Sequence, residues 1–244
     1  MEAAQAIFDP TERRRFPAYN AAQVAAWLRL PPATVRAWVA GQPYKWRGER
    51  RLFQPVIEQA GATKREGPLA LSFVNFVELH VLSALRRVHG ISLPKIRASI
   101  KYLRLHFPDV KHPLADLDLL TDGLDLWLES LGKLLAVSDA GQLGIREVIE
   151  AHLRRVDRGE HGEALRLYPF TRAFEIPDAA NAPRVIVVDP ERAFGRPVLT
   201  GTSIPTRMIA GRFDAGESLE SLADDYGRPI DELQEAIRWE RRAA

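Results

Sequence analysis

Apolar residues recur at helical spacing along most of the chain, most clearly in its C-terminal quarter. There the pattern predicts three short helices, over 207–213, over 219–226 and from 230 onwards, with a glycine after each of the first two. The β-branched run over 184–189 predicts a strand before them. The end of the chain is therefore expected to contain one strand followed by a three-helix unit.

The N-terminal part shows the same helical pattern, with marked ends. Asn20 and Gln23 have the spacing of a capping box, which predicts a helix over 20–28. A second helix is predicted over 33–40, because prolines precede it and a glycine follows it. The basic segment that comes next contains a glycine and ends in a strand-like run over 52–57, which indicates a β-hairpin.

The middle of the chain begins with two longer helices and then becomes less regular. The helices are predicted over 72–90 and 92–107, each started by a serine. Farther along, the alternation of aspartate and leucine over 116–128 indicates short strands or turns, with which the apolar run over 132–137 would pair. A helix is then predicted over 142–153, followed by a hairpin that ends near residue 168.

These elements predict a fold that is mainly α with small β elements. Residues 1–110 are expected to form a winged helix-turn-helix, and residues 111–174 a small α+β unit that connects or dimerises. Residues 175–183, with two prolines, are expected to be a linker. Residues 184–244 would then form a C-terminal domain, a strand plus three helices of helix-turn-helix character.

Two short helices across a tight turn, followed by a basic hairpin, are typical of a DNA-binding domain. Arginine and threonine on the second helix suit guanine edges and phosphates, and the cations of the hairpin suit the phosphate backbone. The candidate DNA-binding residues are therefore Thr34, Arg36 and Ala37 on the helix and Lys45, Arg47, Arg50 and Arg51 on the hairpin. The alternative is that the two helices form an ordinary helical hairpin.

Charge is distributed unevenly along the 244 residues, although the net charge is only +2. Residues 1–67 contain 11 Lys and Arg against 6 Asp and Glu, whereas residues 175–244 contain 9 against 13. A basic front suits nucleic acid and an acidic end does not. The distribution therefore predicts a DNA-binding part joined to a protein-binding part.

Composition and motifs argue against an enzyme, a metal site and a membrane protein. The chain has no cysteine, and its six histidines match no zinc spacing. The acidic residues between 116 and 125 lack the ligand spacing of a calcium loop, and no nucleophile–base signature is present. We therefore expect no catalytic residue, no metal and no cofactor. Because no apolar run approaches the ~20 residues of a membrane span, we expect a cytoplasmic protein.

The segment 195–206 is punctuated by glycine and proline. Gly195 and Gly201 suit positive φ, and Pro205 suits the start of a helix. We expect these three residues to form a structural turn between the strand and the three helices. No Gly-Lys-Ser/Thr follows, so the segment is not a phosphate-binding loop.

With Thr202 and Ile204, this segment is similar to a family long labelled a domain of unknown function. The family hallmark is G-x-P-x-x-x-G-T-x-I-P-x before a helical trio, and the resemblance covers about residues 185–239, with Ser203 where arginine is usual. In their usual setting such domains belong to VapB-like antitoxins, which are paired with PIN-like toxin ribonucleases. Residues 19–107 in turn resemble the MerR-type winged-helix arrangement, through Leu71-Ser72-Phe73 and the segment 90–97.

The two resemblances together imply an antitoxin that neutralises a PIN-like ribonuclease toxin and binds operator DNA, as a homodimer, to regulate its own expression. Such toxins use clustered carboxylates and a magnesium or manganese ion. The resemblance implies that an antitoxin silences this site by covering it or by inserting an arginine that mimics the charge of the metal. The candidate partner-binding residues are Arg207, Arg238, Trp239, Arg241 and Arg242. The alternatives are a stand-alone MerR-like transcriptional regulator with a C-terminal dimerisation or second DNA-binding domain, and a basic end that is only a frayed tail.

Overall fold

A computed structural model describes residues 10–59, 69–87, 91–135, 139–172 and 181–241. Helices make up most of these residues, and each sheet among them is a pair of short antiparallel strands. The predicted fold class, mainly α with small β elements, is therefore confirmed.

The elements in chain order are as follows. The helices are α1 (Pro10–Arg15), α2 (Ala21–Trp27), α3 (Pro32–Ala40), α4 (Phe73–Arg87), α5 (Leu93–His106), α6 (Pro113–Asp116), α7 (Leu124–Leu135), α8 (Asp139–Leu153), α9 (Thr206–Asp214), α10 (Leu219–Tyr226) and α11 (Ile230–Glu240). A π-helical turn (Leu119–Gly123) precedes α7, and a 3-10 turn (Ala193–Gly195) lies between the last two strands. The strands are β1 (Tyr19–Asn20), β2 (Gln42–Trp46), β3 (Glu49–Phe53), β4 (Ala70–Leu71), β5 (Val156–Arg158), β6 (Ala164–Leu167), β7 (Ile186–Val187) and β8 (Val198–Leu199). β1 pairs with β4, β2 with β3, β5 with β6 and β7 with β8.

The first two predicted helices are confirmed, with the predicted signals at their ends. The Asn20 side chain accepts from the N–H of Ala22 (2.8 Å), and the Gln23 side chain accepts from the N–H of Asn20 (3.3 Å). These two bonds close the capping box that starts α2. α3 begins after Pro31 and ends at Gly41, which has a φ of 76° that few other residues adopt.

The predicted hairpin is also confirmed, although its second strand lies nearer the turn. β3 covers Glu49–Phe53 rather than 52–57. After β3 the chain turns back onto α3, where the N–H of Val56 donates to the carbonyl of Trp38 (2.7 Å). The backbone N–H groups after Phe53 therefore donate to the end of α3 and do not extend the strand.

The strands predicted over 116–128 and over 132–135, the described part of the run 132–137, are wrong. The described residues after the π-helical turn form α7 instead. The alternation of aspartate and leucine suggests a strand, but Leu124, Trp127 and Leu131 also follow helical spacing, and all three are buried. Packing of this helical face, mainly against α5, outweighs the short alternating pattern.

The remaining predicted elements are present with small shifts of their ends. Helices α4, α5 and α8 and the β5–β6 hairpin occupy the predicted segments. The predicted strand over 184–189 is reduced to the two residues of β7, which pairs with β8. The three predicted C-terminal helices are α9, α10 and α11, and α10 is capped by Ser218 and ended by Gly227, as expected.

One apolar core runs through both ends of the chain. Trp27, the last residue of α2, stacks on Trp239 of α11, with ring centroids 5.5 Å apart and an interplanar angle of 13°. Trp27 also stacks on Phe76 of α4, at 5.6 Å and 23°. The Tyr19 hydroxyl donates to the carbonyl of Gly195 (2.8 Å). Core contacts thus cross the predicted domain boundaries, and the division of the chain into domains stays a prediction.

Arg155 fixes the start of the C-terminal part against the β5–β6 hairpin. Its guanidinium is buried and donates to four main-chain oxygens, those of Tyr168 (2.6 Å), Pro183 (3.0 Å), Pro169 (3.3 Å) and Ala182. Burial lowers the pKa of Arg155 to about 10, so the group stays charged at neutral pH. The described end of the predicted linker is therefore held by hydrogen bonds.

We expect the tryptophan stack to contribute strongly to the stability of the whole chain. Trp27→Ala and Trp239→Ala should each lower the free energy of unfolding by about 3–5 kcal/mol, because each leaves a large cavity. The double variant should lose less than the sum, by roughly 0.5–3 kcal/mol, since the rings are in contact. Urea unfolding of the four proteins measures both effects, and additive losses would contradict a direct coupling of the two rings.

A buried acid–imidazole pair joins α4 to the residue before α6. His112 Nδ1 is 3.1 Å from Glu78 Oε2, and both side chains are almost fully buried. Burial raises the pKa of Glu78 more than its hydrogen bonds from His112 and Asn75 lower it. Burial alone would lower the pKa of His112, but the hydrogen bond and the charge of Glu78 raise it overall. Both groups therefore hold a proton more tightly in the folded chain than in the unfolded chain.

This pair predicts that the protein loses stability as the pH rises. A raised folded pKa gives a contribution that is complete below the unfolded value, 6.5 for the histidine, and that disappears as the pH passes the folded value. The free energy of unfolding, measured in urea between about pH 5.5 and 8.5, should fall with pH. The variant Glu78→Gln/His112→Gln should show a flatter profile, and identical slopes for the two proteins would contradict the role of the pair.

Candidate functional site

The outward side of α3 and the β2–β3 hairpin form the candidate DNA-binding surface. Arg36 is exposed in the middle of α3, and Thr34 is half-buried near its start. Ala37 is buried, with 8% of its surface exposed, so its prediction as a groove-facing residue is wrong. With so little of its surface exposed, the Ala37 side chain is not available to bases in the major groove, whereas Val35, Trp38 and Val39 form the core-facing side of α3 by helical spacing.

The hairpin carries a pair of like charges directly opposite each other. Lys45 of β2 is in register with Arg50 of β3, and both side chains are exposed. In the described part of the chain, no carboxylate lies within ion-pair distance of either residue, whereas Arg51 pairs with Glu49 (3.2 Å). Like charges opposite each other destabilise a strand pair, and an anion bound to both side chains would offset this repulsion.

The hairpin is held firmly at its base. A Cβ atom at Gly41 would lie only 2.5 Å from the carbonyl oxygen of Phe53, so glycine is required where the hairpin leaves α3. On the other side, the guanidinium of Arg97 lies 4.6 Å from the centre of the Phe53 ring. At the tip, Arg47 and Gly48 both have positive φ, which makes the tight turn. The hairpin that carries the cations is therefore fixed in position next to α3.

The C-terminal turn is ordered by short local hydrogen bonds. Gly195 and Gly201 have φ of 75° and 79°, as the sequence predicts. The Thr202 hydroxyl donates to the carbonyl of Leu199 (2.8 Å) and accepts from the N–H of Ile204 (3.0 Å). Pro205, with φ of −65°, lies immediately before α9. This network joins β8 to α9, which places the first turn of α9 at the surface.

The structure changes the set of candidate partner-binding residues. Trp239 is fully buried against Trp27, so its prediction as an exposed anchor is wrong. Arg238 pairs with Glu235, and Arg241 pairs with Asp214 (3.0 Å). The candidate Arg242 lies outside the described residues. Arg207, on the first turn of α9, is exposed and has no ion pair with any described residue.

Two features of this region were missed by sequence reasoning. Glu235 is almost completely buried, yet it binds Arg172, from the segment before the C-terminal part, as well as Arg238. Because pairing with arginine outweighs burial, the pKa of Glu235 is lowered. The Phe194 side chain is 92% exposed, although phenylalanine is among the residues most often buried in the core. Neither feature has a local sequence signal, since both depend on contacts between distant segments.

The backbone around Phe194 is strained. Ala193 and Phe194 have φ of 46° and 56°, in the left-handed region that residues with a Cβ avoid. Such a conformation costs roughly 1–2 kcal/mol per residue. The turn is nevertheless well fixed, because the N–H of Gly195 donates to the carbonyl of Arg192 (2.9 Å) and its own carbonyl accepts from Tyr19.

Neither a metal cluster nor a membrane-spanning helix is found among the residues that the structure describes. No group of three or more His, Cys, Asp or Glu side chains in these residues is arranged to hold a metal ion. Of the helices that the structure describes, none combines the length and apolar character needed to cross a membrane.

Comparison with known proteins finds similarity in the C-terminal part and over nearly the whole chain. Residues 186–239 match a family described as "Protein of unknown function (DUF433)". Over 238 residues the chain is 29% identical to "Putative antitoxin VapB45" of Mycobacterium tuberculosis (strain ATCC 25618 / H37Rv), covering 91% of this chain and 92% of that protein. It is also 29% identical to "Uncharacterized protein Rv2308" of the same strain over 234 residues, covering 92% and 90%.

A solved structure shows the same similarity in three dimensions. The crystal structure of Rv2018 from Mycobacterium tuberculosis matches the chain with a TM-score of 0.67 and 26% sequence identity. The match covers 91% of this chain and 98% of that one. The arrangement of the described elements is therefore shared over nearly the whole length, including the region between the two ends.

The surface charges predict two different effects on DNA binding. If α3 reads the DNA sequence, Arg36→Ala should weaken binding to DNA from upstream of the chain's own reading frame by about 1–3 kcal/mol and relax the sequence preference, because it removes the predicted base contact. Lys45→Ala/Arg50→Ala should weaken binding to all sequences. It should also make the dependence of log K on log salt less steep, by about 1 for each phosphate that is no longer neutralised.

Fluorescence anisotropy at several salt concentrations measures both effects. Lys133→Ala, which removes an exposed cation of α7 outside α3 and the hairpin, is the matched control and should bind like the original protein. If the hairpin variant kept the salt dependence of the original protein, the hairpin would not be a phosphate-binding element.

Proposed function

We propose that this protein is the antitoxin of a type II toxin–antitoxin system. The observation that carries the proposal is the similarity over nearly the whole length to a protein named an antitoxin. In this proposal the chain neutralises a PIN-like ribonuclease toxin and binds operator DNA to regulate its own expression. It acts in the cytoplasm, by binding and without catalysis.

The surface of α3 and the hairpin supports the DNA-binding half of the proposal. Arg36, Lys45 and Arg50 project three exposed cations from rigidly connected elements, and none of them is neutralised by a described carboxylate. A homodimer would bring two such surfaces to an inverted repeat, one per half-site. The surface then takes the role of the MerR-like winged helix-turn-helix that the sequence suggests.

The charge of the C-terminal part supports a protein as its partner. Residues 175–244 contain 13 acidic against 9 basic residues, which disfavours DNA as their ligand. The exposed Arg207 remains available to an acidic partner, whereas Arg238 and Arg241 first have to leave their ion pairs. We therefore give Arg207 the main role among the predicted arginines.

One observation favours a second candidate function. The burial of Trp239 and of Glu235 makes the C-terminal helices part of the chain's own core. This suits a stand-alone MerR-like transcriptional regulator, in which those helices support the fold or a dimer and need no toxin.

Co-expression of the full chain with its neighbour in the genome separates the two functions. The probe is the product of an adjacent reading frame that carries three or four well-spaced Asp or Glu residues. An antitoxin should co-purify with that product and stop its cleavage of RNA, and the complex should bind the DNA upstream of the pair. A chain that binds this DNA but neither captures nor inhibits the neighbouring product would contradict the antitoxin proposal and favour the regulator.

The full chain is required for this experiment. A fragment that begins at residue 184 would lose Trp27 from the face of Trp239 and Arg172 from Glu235. Its failure to bind a partner would then report misfolding and not function.

A further inference from the structure

Phe194 is the most exposed large apolar side chain in the described part of the chain, at 92%. It is also held in a left-handed backbone conformation, directly after Ala193 in the same region of φ. An exposed phenylalanine that packs on nothing contributes little to folding, and its backbone conformation opposes folding. The fold therefore keeps the Phe194 side chain at the surface, although this lowers the stability of the protein.

The loop around Phe194 is fixed on both sides. Asp189 is buried and paired with Arg166 (2.9 Å), and its other carboxylate oxygen accepts from the N–H of Glu191 (2.9 Å). On the far side, the Gly195 carbonyl is bound by the hydroxyl of Tyr19. The phenyl ring is thus presented from a pre-organised loop, and binding through it would cost little ordering entropy.

The neighbouring surface is basic and partly apolar. The N–H of Thr206 donates to the carbonyl of Pro197 (3.0 Å), which joins the segment after Phe194 to the first turn of α9. Arg196 lies just before that junction and Arg207 just after it, and both are exposed without an ion pair to a described residue. Met208, the next residue, is 56% exposed.

We infer that Phe194, Arg196, Arg207 and Met208 form the docking surface for the protein partner, with Phe194 as its anchor. This inference rests on the proposed antitoxin function and names the surface through which it acts. The partner presents an apolar pocket that receives the phenyl ring, bordered by carboxylates that pair with the two arginines. Arginine and a large aromatic residue are the side chains that most often dominate binding at such surfaces.

Charge argues for a protein at this surface and against nucleic acid or a second copy. The C-terminal part as a whole is acidic, so a phosphate backbone would be repelled around these two arginines. A symmetric contact between two copies would bring the same arginines face to face. A protein partner avoids both difficulties if its carboxylates lie only opposite the two arginines, because the acidic residues elsewhere in the C-terminal part then face no negative charge.

The test combines point variants with crosslinking, in full-length protein and with the acidic neighbouring product as the probe. Phe194→Ala and Phe194→Asn should each weaken binding of that product by about 30-fold or more, as expected for an anchor residue. Asparagine tolerates the left-handed conformation, so Phe194→Asn should fold at least as stably as the original chain. Arg196→Glu/Arg207→Glu should slow association, most clearly at low salt. Leu105→Ala, at an exposed apolar residue of α5, is the matched control and should bind normally.

Crosslinking identifies what occupies the surface. The photoreactive residue p-benzoylphenylalanine at position 194 should crosslink to the partner, and the same residue at position 105 should not. If the original chain binds the partner but the Phe194 variants bind equally well, or the crosslink forms to DNA, to a second copy or to nothing, this inference is overturned and the antitoxin function stands. If the original chain does not bind the partner at all, both fall.

Discussion

The stacking of Trp27 on Trp239 is the contact on which the arrangement of this protein depends. Trp27 closes the helix before α3, and Trp239 belongs to the last helix, so one aromatic pair joins the two ends of the chain. The hydrogen bond between Tyr19 and Gly195 and the ion pair of Arg172 with Glu235 reinforce the same junction. The candidate DNA-binding surface and the C-terminal helices are therefore joined by packed side chains.

The sequence predicts this fold best where interactions between residues close in sequence determine the local structure. The capping box of Asn20 and Gln23, the glycine after α3 and the serine that caps α10 act over three or four residues, and each appears as predicted. The positive φ of Gly195 and Gly201 follows from the same kind of local rule. The position and type of most helices, and the mainly α class, could therefore be predicted from the sequence alone.

Prediction is wrong where a distant contact overrides the local pattern. Leu124 and Trp127 are predicted in strands because aspartate alternates with leucine there, but packing against α5 makes the segment helical. Trp239 is predicted at a partner surface, and its true neighbour, Trp27, lies at the other end of the chain. The conformation around Phe194 is only partly local, because the turn is held by the bond from Gly195 to Arg192 and also by the hydroxyl of the distant Tyr19.

Arg155 has a consequence for how such a chain can change in evolution. Its guanidinium holds the segment that leads into the C-terminal part only through main-chain oxygens, which every amino acid provides. The exposed side chain at position 183 can therefore vary while the path of the backbone is kept, whereas Ala182 is also held by its burial next to Ala151 and Phe170. Arg155 itself has no such freedom, because no other side chain offers as many donors in one plane. In divergent relatives we expect arginine at position 155 to be retained more often than the residues whose main-chain oxygens it binds.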